Sequence, residues 1–498
     1  MIATCMNCLE NLSIKHKMAE RHRKPHAIII PLPLQGHINP FINLSLKLAS
    51  NGFTITFVNL EFIHQMLSKS HHNNTTSEFD LFAEARKSGL DIRYTTISDG
   101  FPPEFDRGLH LEEFWESMLQ NFTARVDEFV GKTIKSDPYL DSFLVLDTFF
   151  SWTAEVAEKY NLVNVSFWTQ PALVFSLGYH SDLLKENGHF PLKDNTDEEI
   201  NYIPGVRSVS TRDFMRYLKE SDLSTISNKL AFETFKGVKK ADFILHNTLH
   251  ELESDTLSAL NKYQPNYAIG PINFVKNFAT YTVHKSIWSE SDCTHWLDSK
   301  SPGSVLYVSF GSLVHTSTHV IEEIAYGLLL SEVNFIWAVR TGIVGCADTN
   351  GLPDGFEDEI KDKGLIIPWC NQLRILSDPA VGGFMTHCGW NSIVESLWCG
   401  TPMICYPVDY DQPINRKLVV DDWKVGINLS DGASIDRKEV AEKIKYLMGE
   451  TSSKSLRQES NKVKETLRNA TEINGSLERN FDQFINDLKE KIHATKKY

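Results

Sequence analysis

Short apolar runs alternate with amphipathic stretches along most of the chain, and glycine, proline or polar residues separate them. Such runs are typical of buried parallel strands, whereas apolar residues spaced by three or four indicate helices. In the first half the pattern predicts a helix after the first strand, helices over 111–133 and 153–160, and strands at 26–31 (HAIIIP), 53–58 (FTITFV), 91–97 (DIRYTTI), 142–147 (SFLVLD), 164–168 (NVSFW) and 242–247 (DFILHN). This alternation implies a parallel sheet with helices on both faces.

The same alternation restarts in the second half. It predicts a helix over 319–331 and strands at 304–310 (SVLYVSF), 334–340 (NFIWAVR), 364–369 (GLIIPW), 382–387 (GGFMTH) and 402–407 (PMICYP). A final amphipathic helix has one apolar face, formed by Leu477, Phe481, Phe484, Ile485, Leu488 and Ile492. The chain is therefore predicted to be an α/β protein with two doubly wound, Rossmann-like domains.

Interruptions of this pattern predict the domain boundaries. Residues 178–235 are irregular and rich in charge, which indicates helices and loops over the first sheet, and residues 69–80 indicate a polar loop. No clear periodicity is present over 272–288, which is typical of an interdomain linker. We expect a first domain over 25–272, a linker over 273–288, a second domain over 289–470, and a C-terminal helix over 471–498 that packs back on the first domain. Residues 1–24 are expected to be a disordered extension, with Met18 as a second possible start.

Composition narrows the class of protein. A chain of 498 residues is too long for one ordinary core, and 42% hydrophobic with 23% charged residues is the balance of a soluble globular protein. The net charge of −14 argues against nucleic acid or an anionic membrane surface as the main partner. The sequence shows no signal peptide or apolar run long enough for a transmembrane segment, so we expect a cytoplasmic protein. The lone Cys5–Cys8 pair is weak evidence for a metal site.

Most of the candidate ligand-binding residues lie between Trp369 and Gln412. A predicted strand ends at His387 and a helix follows, with Gly389, Asn391 and Ser392 at the turn between them. Unpaired N–H groups and the positive dipole make a helix N-terminus a natural binding site for a diphosphate. The alternative is a plain capping box, because Ser392 and Glu395 have the spacing S-x-x-E.

Other side chains in this stretch fit the rest of a sugar nucleotide. Glu395 could accept hydrogen bonds from two ribose hydroxyls, and Trp369 could stack on a planar base or simply be a core residue. Asp411 and Gln412 offer a carboxylate beside an amide, which suits vicinal sugar hydroxyls, although both could be turn residues.

The full stretch, including GGF-THCGWNS, resembles the signature box of the plant secondary-product glycosyltransferases, an inverting family that uses UDP-sugars and has the GT-B fold. The resemblance extends from about Lys24 to the C-terminal helix and implies two domains facing a central cleft. It implies that Trp369 stacks on uracil with the Cys370 main chain at its edge, a position that is usually alanine in the family. It further assigns Gln372 and Glu395 to the ribose, Ser312, His387, Asn391 and Ser392 to the diphosphate, and Thr169, Trp390, Asp411 and Gln412 to the sugar. A glutamine at 412 is usual in members that use glucose.

A catalytic pair is predicted far upstream. His37, in QGHINP, lies between the first strand and its helix, and Asp147 ends a later strand at the same carboxyl edge, where open α/β sheets bind ligands. A carboxylate that orients an imidazole makes a general base, although an aspartate after a strand is often a helix N-cap. The resemblance assigns His37 as the base and Asp147 as its partner. It implies direct displacement with inversion at a hydroxyl or carboxyl acceptor, with no metal or cofactor.

Aromatic residues of the first domain predict a hydrophobic acceptor such as a phenolic, flavonoid or terpenoid. Each of them has core packing as an alternative. The candidate walls are Phe101, Phe149, Phe150, Trp152 and Phe175. We expect a monomer whose partners are a UDP-sugar and this acceptor.

Two other functions stay open at this point. Cys388 beside His387 could be the nucleophile of a thiol hydrolase, but that function leaves Trp369 and Glu395 unexplained. A non-catalytic UDP-sugar sensor or scaffold of the same fold would not need His37 and Asp147.

Overall fold

The computed structural model describes residues 23–71, 79–192, 197–220, 222–274, 286, 288–312, 314–345, 351–430 and 434–496. The expected N-terminal extension, apart from its last two residues, and most of the expected linker lie outside these ranges. Lys24, the last residue of that expected extension, is already part of the first strand.

Two parallel sheets organise the described part of the chain. In chain order the strands are β1 (Lys24–Ile30), β2 (Thr54–Leu60), β3 (Ile92–Ile97), β4 (Leu140–Asp147), β5 (Asn164–Trp168), β6 (Glu199–Ile200), β7 (Val209–Ser210), β8 (Phe243–His246), β9 (Asn266–Ala268), β10 (Val305–Ser309), β11 (Asn334–Ala338), β12 (Gly364–Ile367), β13 (Val381–Thr386), β14 (Met403–Cys405) and β15 (Gly426–Asn428). The first sheet has the order β3-β2-β1-β4-β5-β8-β9 and the second β12-β11-β10-β13-β14-β15, while β6 and β7 form a separate antiparallel pair. The predicted fold class, two doubly wound α/β domains, is confirmed.

Helices cover both sheets. They are α1 (Gln35–Ser50), α2 (Glu61–His71), α3 (Ala83–Lys87), α4 (Leu111–Gln120), α5 (Phe122–Ser136), α6 (Thr153–Tyr160), α7 (Ala172–Tyr179), α8 (Ser181–Glu186), α9 (Arg216–Lys219), α10 (Ile226–Val238), α11 (Ser254–Leu260), α12 (Thr294–Asp298), α13 (Thr318–Ser331), α14 (Phe356–Ile360), α15 (Gln372–Leu376), α16 (Trp390–Cys399), α17 (Gln412–Lys417), α18 (Arg437–Met448), α19 (Lys454–Thr471) and α20 (Ser476–Thr495). In the described ranges, no helix is both long and apolar enough to cross a membrane.

The central strands are apolar throughout because both of their faces are buried. In β10, Val305 and Tyr307 belong to one core of the second sheet, whereas Leu306 and Val308 belong to the core on the opposite face. This alternation follows the two-residue period of a strand. It explains why these strands appear in the sequence as continuous apolar runs.

Helix α20 follows the second domain in sequence but packs on the first sheet. Phe481, Phe484 and Leu488 are fully buried in the core of that sheet. Lys47 Nζ of α1 donates a hydrogen bond to Glu478 Oε1 at 2.5 Å, which adds a charged contact at the start of the helix.

Several predicted elements differ in detail. The helix expected over 111–133 is divided into α4 and α5, which meet at Asn121. The loop expected from residue 69 begins later, because α2 continues to His71. Strands β9, β15 and the β6–β7 pair were not predicted, since each is too short to form an apolar run.

Candidate active site

Each sheet brings its predicted site residues to its own topological switch point. In the first sheet β2 lies on one side of β1 and β4 lies on the other. In the second sheet β11 and β13 lie on the two sides of β10 in the same way. Ligands of open α/β sheets bind in the crevice beyond such strand ends. His37 and Asp147 follow or end β1 and β4, and Ser312 and His387 follow β10 and β13.

His37 and Asp147 form a buried pair. His37 Nδ1 lies 2.7 Å from Asp147 Oδ2, and the two residues are 7% and 1% exposed. Asp147 Oδ1 also accepts a hydrogen bond from Phe149 N at 3.1 Å, which fixes the carboxylate. Because Asp147 accepts the Nδ1 hydrogen, Nε2 keeps the lone pair that a general base needs.

The setting of this pair departs from the sequence analysis in two respects. Helix α1 begins at Gln35, so His37 lies in its first turn and not in a preceding loop. Asp147 is not a helix N-cap, since α6 begins at Thr153. Thr169 Oγ1 lies 3.0 Å from the same Nδ1 atom, which places Thr169 directly against the histidine.

Hydrogen bonds join this pair to the second domain. Asn391 Nδ2 donates to Gly36 O at 2.8 Å, one residue before His37. Trp390 Nε1 donates to Asn247 O at 2.7 Å, and Asn247 Nδ2 donates to Asn391 Oδ1 at 3.3 Å. The N-terminus of α16 therefore lies beside the first turn of α1.

Helix α16 begins earlier than expected, and its first turn contains the predicted diphosphate ligands. Gly389 is the N-cap, so Ser392 is the third helical residue and the capping-box alternative is wrong. Gln372 Nε2 donates to Glu395 Oε2 at 2.7 Å and to Ser392 Oγ at 3.0 Å. The two side chains predicted to hold ribose are thus in contact with each other.

His387 lies in a space that only glycines leave open. A Cβ atom at Gly311 or Gly389 would come within 2.5 Å or 2.4 Å of His387 Nε2. Burial lowers the pKa of His387 to about 4, the charge of Arg340 contributes to this shift, and a hydrogen bond to the Ser309 main chain opposes it. His387 is therefore neutral at physiological pH, and its buried Nδ1 has no hydrogen-bond partner among the described residues.

Of the two residues predicted to bind the base, Trp369 can offer its ring and Cys370 can offer only its main chain. Trp369 is half-buried and belongs to none of the core clusters, although its ring lies 6.3 Å from that of Trp288. The Cys370 thiol points into the core and lies 3.3 Å from Tyr307 Oη. Only the Cys370 main chain is then available for a nucleobase.

The side chains predicted to bind the sugar are already buried or hydrogen-bonded within the protein in part. Gln412 Oε1 accepts from Val408 N at 2.8 Å and Asp409 N at 3.0 Å, so its amide nitrogen is the group left for a ligand. The Trp390 ring is buried, and a contact from this residue would come from its main-chain N–H. Asp411 is buried and accepts from Asn415 Nδ2 at 2.8 Å. Burial raises the pKa of Asp411 to about 6, which Asn415 and His37 partly offset.

The structure corrects three of the five acceptor candidates. The rings of Phe150, Trp152 and Phe175 are 3%, 5% and 0% exposed, because they pack in the cores of the first domain. Phe149 is half-buried, and its ring lies edge-on to His37 with 5.7 Å between centroids.

Phe101, the fifth candidate, is half-buried and stacks on Phe105 with 4.2 Å between centroids. It lines a cavity of about 740 Å³ together with several carboxylates, including that of Asp99. His37 and the predicted donor ligands do not line that cavity. Phe149 is thus the candidate that lies nearest to the proposed base.

Two residues beside the site were missed by the sequence analysis. The Tyr217 hydroxyl is buried without a hydrogen-bond partner among the described residues, and burial together with the charge of Asp411 raises the pKa of Tyr217. Ion pairs across the cleft hold its helix, since Arg416 lies 2.7 Å from Asp213 and Arg216 lies 3.5 Å from Asp409. Arg340, two residues beyond β11, is 6% exposed. The sequence signal for Arg340 was its position just after an apolar strand, at the same sheet edge as Ser312.

Cys388 cannot act as an accessible nucleophile. It is fully buried with a φ of 67°, and burial raises the pKa of its thiol well above the usual range. The thiol hydrolase alternative is therefore wrong. In the described ranges, no cluster of three or more His, Cys, Asp or Glu side chains could hold a metal ion.

Comparisons with known proteins agree with this arrangement. The model of the family described as "UDP-glucoronosyl and UDP-glucosyl transferase" matches residues 271–456, and that of "Glycosyltransferase, N-terminal domain" matches residues 26–274. UDP-glycosyltransferase 86A1 of Arabidopsis thaliana is 50% identical over 480 residues, which are 95% of this chain and 96% of the relative. A 7-deoxyloganetin glucosyltransferase of Catharanthus roseus is 33% identical over 94% of this chain and 97% of its own.

Solved structures give the same fold. Os79 of O. sativa in complex with UDP has a TM-score of 0.79 at 23% identity, over 93% of this chain and 100% of its own. Medicago truncatula UGT71G1 complexed with UDP-glucose has a TM-score of 0.74 at 25% identity, over 93% of this chain and 98% of its own. A non-catalytic sensor gains no support from these relatives. The chain belongs to the plant UDP-glycosyltransferases and is a glycosyltransferase enzyme with the GT-B fold.

Proposed function

We propose that the enzyme transfers glucose from UDP-glucose, with inversion, to a hydroxyl or carboxyl group of a small hydrophobic acceptor. The observation that carries this proposal is the His37–Asp147 pair, at 2.7 Å, beside the N-terminus of α16. The hydrogen bond from Asn391 to Gly36 O connects the two. A base and a diphosphate site in such proximity suit a single displacement.

In this mechanism His37 Nε2 takes the proton of the acceptor hydroxyl while its oxygen forms a bond to the anomeric carbon. The bond from that carbon to the diphosphate oxygen breaks on the opposite face, and UDP leaves with the electron pair. Asp147 orients the imidazole and stabilises its cationic form. Donors at the start of α16 stabilise the charge that develops on the diphosphate. The mechanism uses neither metal nor cofactor.

The donor sugar is assigned from Asp411 and Gln412. The Asp411 carboxylate can accept from sugar hydroxyls, and the Gln412 amide nitrogen, for which the described residues supply no acceptor, can donate to one. The Catharanthus roseus relative, a 7-deoxyloganetin glucosyltransferase, supports glucose as the sugar. Trp369 would stack on uracil and the Gln372–Glu395 pair would bind ribose.

The acceptor would bind beside Phe149, whose ring contacts His37. An apolar aromatic wall next to the base suits a phenolic, flavonoid or terpenoid aglycone better than a polar one. We further propose that the enzyme is a cytoplasmic monomer.

The test combines turnover with binding. The purified full chain is assayed with UDP-glucose, UDP-galactose and UDP-glucuronate against a panel of phenolic and terpenoid alcohols, and product stereochemistry is determined by NMR. His37→Ala should reduce transfer by about 10²–10⁴ because it removes a positioned base, while UDP affinity changes little.

His250→Ala is the matched control, since His250 is an exposed histidine of the same domain. It should retain wild-type transfer. Wild-type rates in the His37 variant would overturn the role of His37, and preference for UDP-galactose over UDP-glucose would overturn the assigned sugar.

A further inference from the structure

The diphosphate end of the donor site consists of uncharged side chains. Ser312, Asn391 and Ser392 carry no charge, and burial lowers the pKa of His387 to about 4. A UDP-sugar brings a dianionic diphosphate, and the departing UDP gains further negative charge. The proposed function, on which this inference rests, therefore leaves open which cation of the chain balances that charge.

Arg340 is a buried cation that has no anion beside it among the described residues. Its Nη2 donates to Val314 O, and its Nη1 lies 3.5 Å from Thr341 O. Within the described ranges its buried Nε has no hydrogen-bond partner, and no carboxylate is ion-paired with its guanidinium. Burial lowers the pKa of Arg340, so its charge is costly where it lies. An anionic ligand close to it would offset that cost.

Arg457 shows what a purely structural arginine looks like in the same domain. All three of its nitrogens have acceptors, namely Ser453 Oγ at 2.9 Å, Gly382 O at 2.9 Å and Leu447 O at 3.2 Å. Arg340 differs because it is more deeply buried and has one nitrogen unpartnered among the described residues.

Strand register places Arg340 beside the predicted diphosphate ligands. Ala338, Ser309 and Thr386 are aligned at the carboxyl ends of β11, β10 and β13. Arg340 lies two residues beyond Ala338, and His387 lies one residue beyond Thr386. Since neighbouring strands are about 4.8 Å apart, β11 and β13 are separated by about 10 Å at this edge. The positive charge of Arg340 helps to lower the pKa of His387, so the guanidinium lies within electrostatic reach of a predicted diphosphate ligand.

Main-chain groups that follow β10 contact both Arg340 and His387. Val314 O accepts from the guanidinium, and a Cβ atom at Gly311 would come within 2.5 Å of His387 Nε2. Ser312, the predicted diphosphate ligand, lies between Gly311 and Val314 in the sequence. Arg340 therefore contacts the main chain two residues after Ser312.

We propose that Arg340 is a positioning residue that supplies positive charge to the donor diphosphate from behind the main chain that follows β10. Its hydrogen bond fixes Val314 O, two residues after Ser312, and its charge favours UDP over neutral nucleosides. It acts through this main-chain contact and through its electric field.

The experiment measures binding of UDP, UMP and uridine to the full chain by calorimetry, without acceptor. Arg340→Gln keeps an amide donor for Val314 O but removes the charge, so UDP affinity should fall at least tenfold while uridine affinity stays within twofold. Arg340→Lys keeps the charge and should retain the wild-type ratio of UDP to uridine affinity within threefold. Arg457→Gln, the matched control, should leave the ratio unchanged.

Equal losses for UDP and uridine in Arg340→Gln, or unchanged UDP affinity, would overturn the proposal. A lysine variant that loses the ratio as fully as the glutamine variant would show that only the shape of the side chain matters, which also overturns it. Should the glutamine variant not fold, Arg340→Met, which also removes the charge, replaces it under the same criteria. If wild-type protein binds neither UDP nor uridine, the donor site itself is wrong, and this failure is distinct from a changed ratio.

Discussion

Acidification should weaken binding of the donor sugar because of Asp411. Burial raises the pKa of this carboxyl group from its ordinary 3.8 to about 6. The protonated form then persists to higher pH, so the carboxylate is about nine-tenths present at pH 7 and about one-tenth at pH 5. If only the carboxylate accepts from the sugar, affinity for UDP-glucose falls about tenfold over this range.

The assay compares UDP-glucose with UDP by titration between pH 5 and 8. UDP lacks the glucosyl group, so the ratio of the two affinities isolates the contribution of Asp411 from that of the nucleotide site. In Asp411→Asn the ratio should be lower at pH 7 and should not vary with pH. Asn415 Nδ2 donates to Asp411 Oδ2 and lowers its pKa, so Asn415→Leu should move the loss of affinity to higher pH.

A constant ratio between pH 7 and 5 in the wild-type enzyme would refute this reasoning. So would an asparagine variant that keeps the wild-type pH dependence. Thermal melting of each variant at both pH values separates loss of binding from loss of fold.

Two further predictions concern the glycine at the site and the buried histidines. Gly311→Ala should lower UDP affinity at least about tenfold, because its Cβ would come within 2.5 Å of His387 Nε2 at a φ of 74°. Gly303→Ala, at a φ of 68° with open space around it, is the control, and equal effects in the two variants would contradict the argument. Burial lowers the pKa of both His26 and His246 from 6.5 to about 4, so they stabilise the fold fully above pH 6.5. That contribution is lost as pH falls from 6.5 through about 4, and the loss reaches about 3 kcal/mol per residue at pH 4. Equal free energies of unfolding in urea at pH 7 and pH 4 would exclude this effect.

The sequence predicts the central strands well because parallel strands with two buried faces must be apolar throughout. Residues 164–168 were expected as a strand and form β5 over the same range. Strand β15 has no such pattern, since its three residues depend on pairing with β14 for their structure. The break at Asn121 is not visible in the periodicity, because Phe114, Met118, Phe122 and Val126 keep a four-residue spacing across it.

The residues of the candidate site also divide into those whose positions the sequence predicts and those whose roles depend on tertiary packing. The positions of His387 after a strand, and of Asn391 and Ser392 near a helix start, could be predicted because strand ends and helix starts have readable patterns. The distinction between Phe149 and Phe150 could not, because a core and an apolar ligand pocket use the same side chains and only tertiary packing separates them. Arg340 has no readable partner either, since its hydrogen-bond acceptor, Val314 O, lies 26 residues earlier in the chain.

The location of helix α20 has a consequence for biosynthesis. Phe481, Phe484 and Leu488 complete the core of the first sheet, yet they follow the whole second domain in the chain. On the ribosome the first domain therefore emerges with an unfilled apolar groove. One core of the second sheet lies within residues 306–447 and is fully synthesised before α20 appears. Domains usually fold in the order of their synthesis, but here the domain that is made first is completed last.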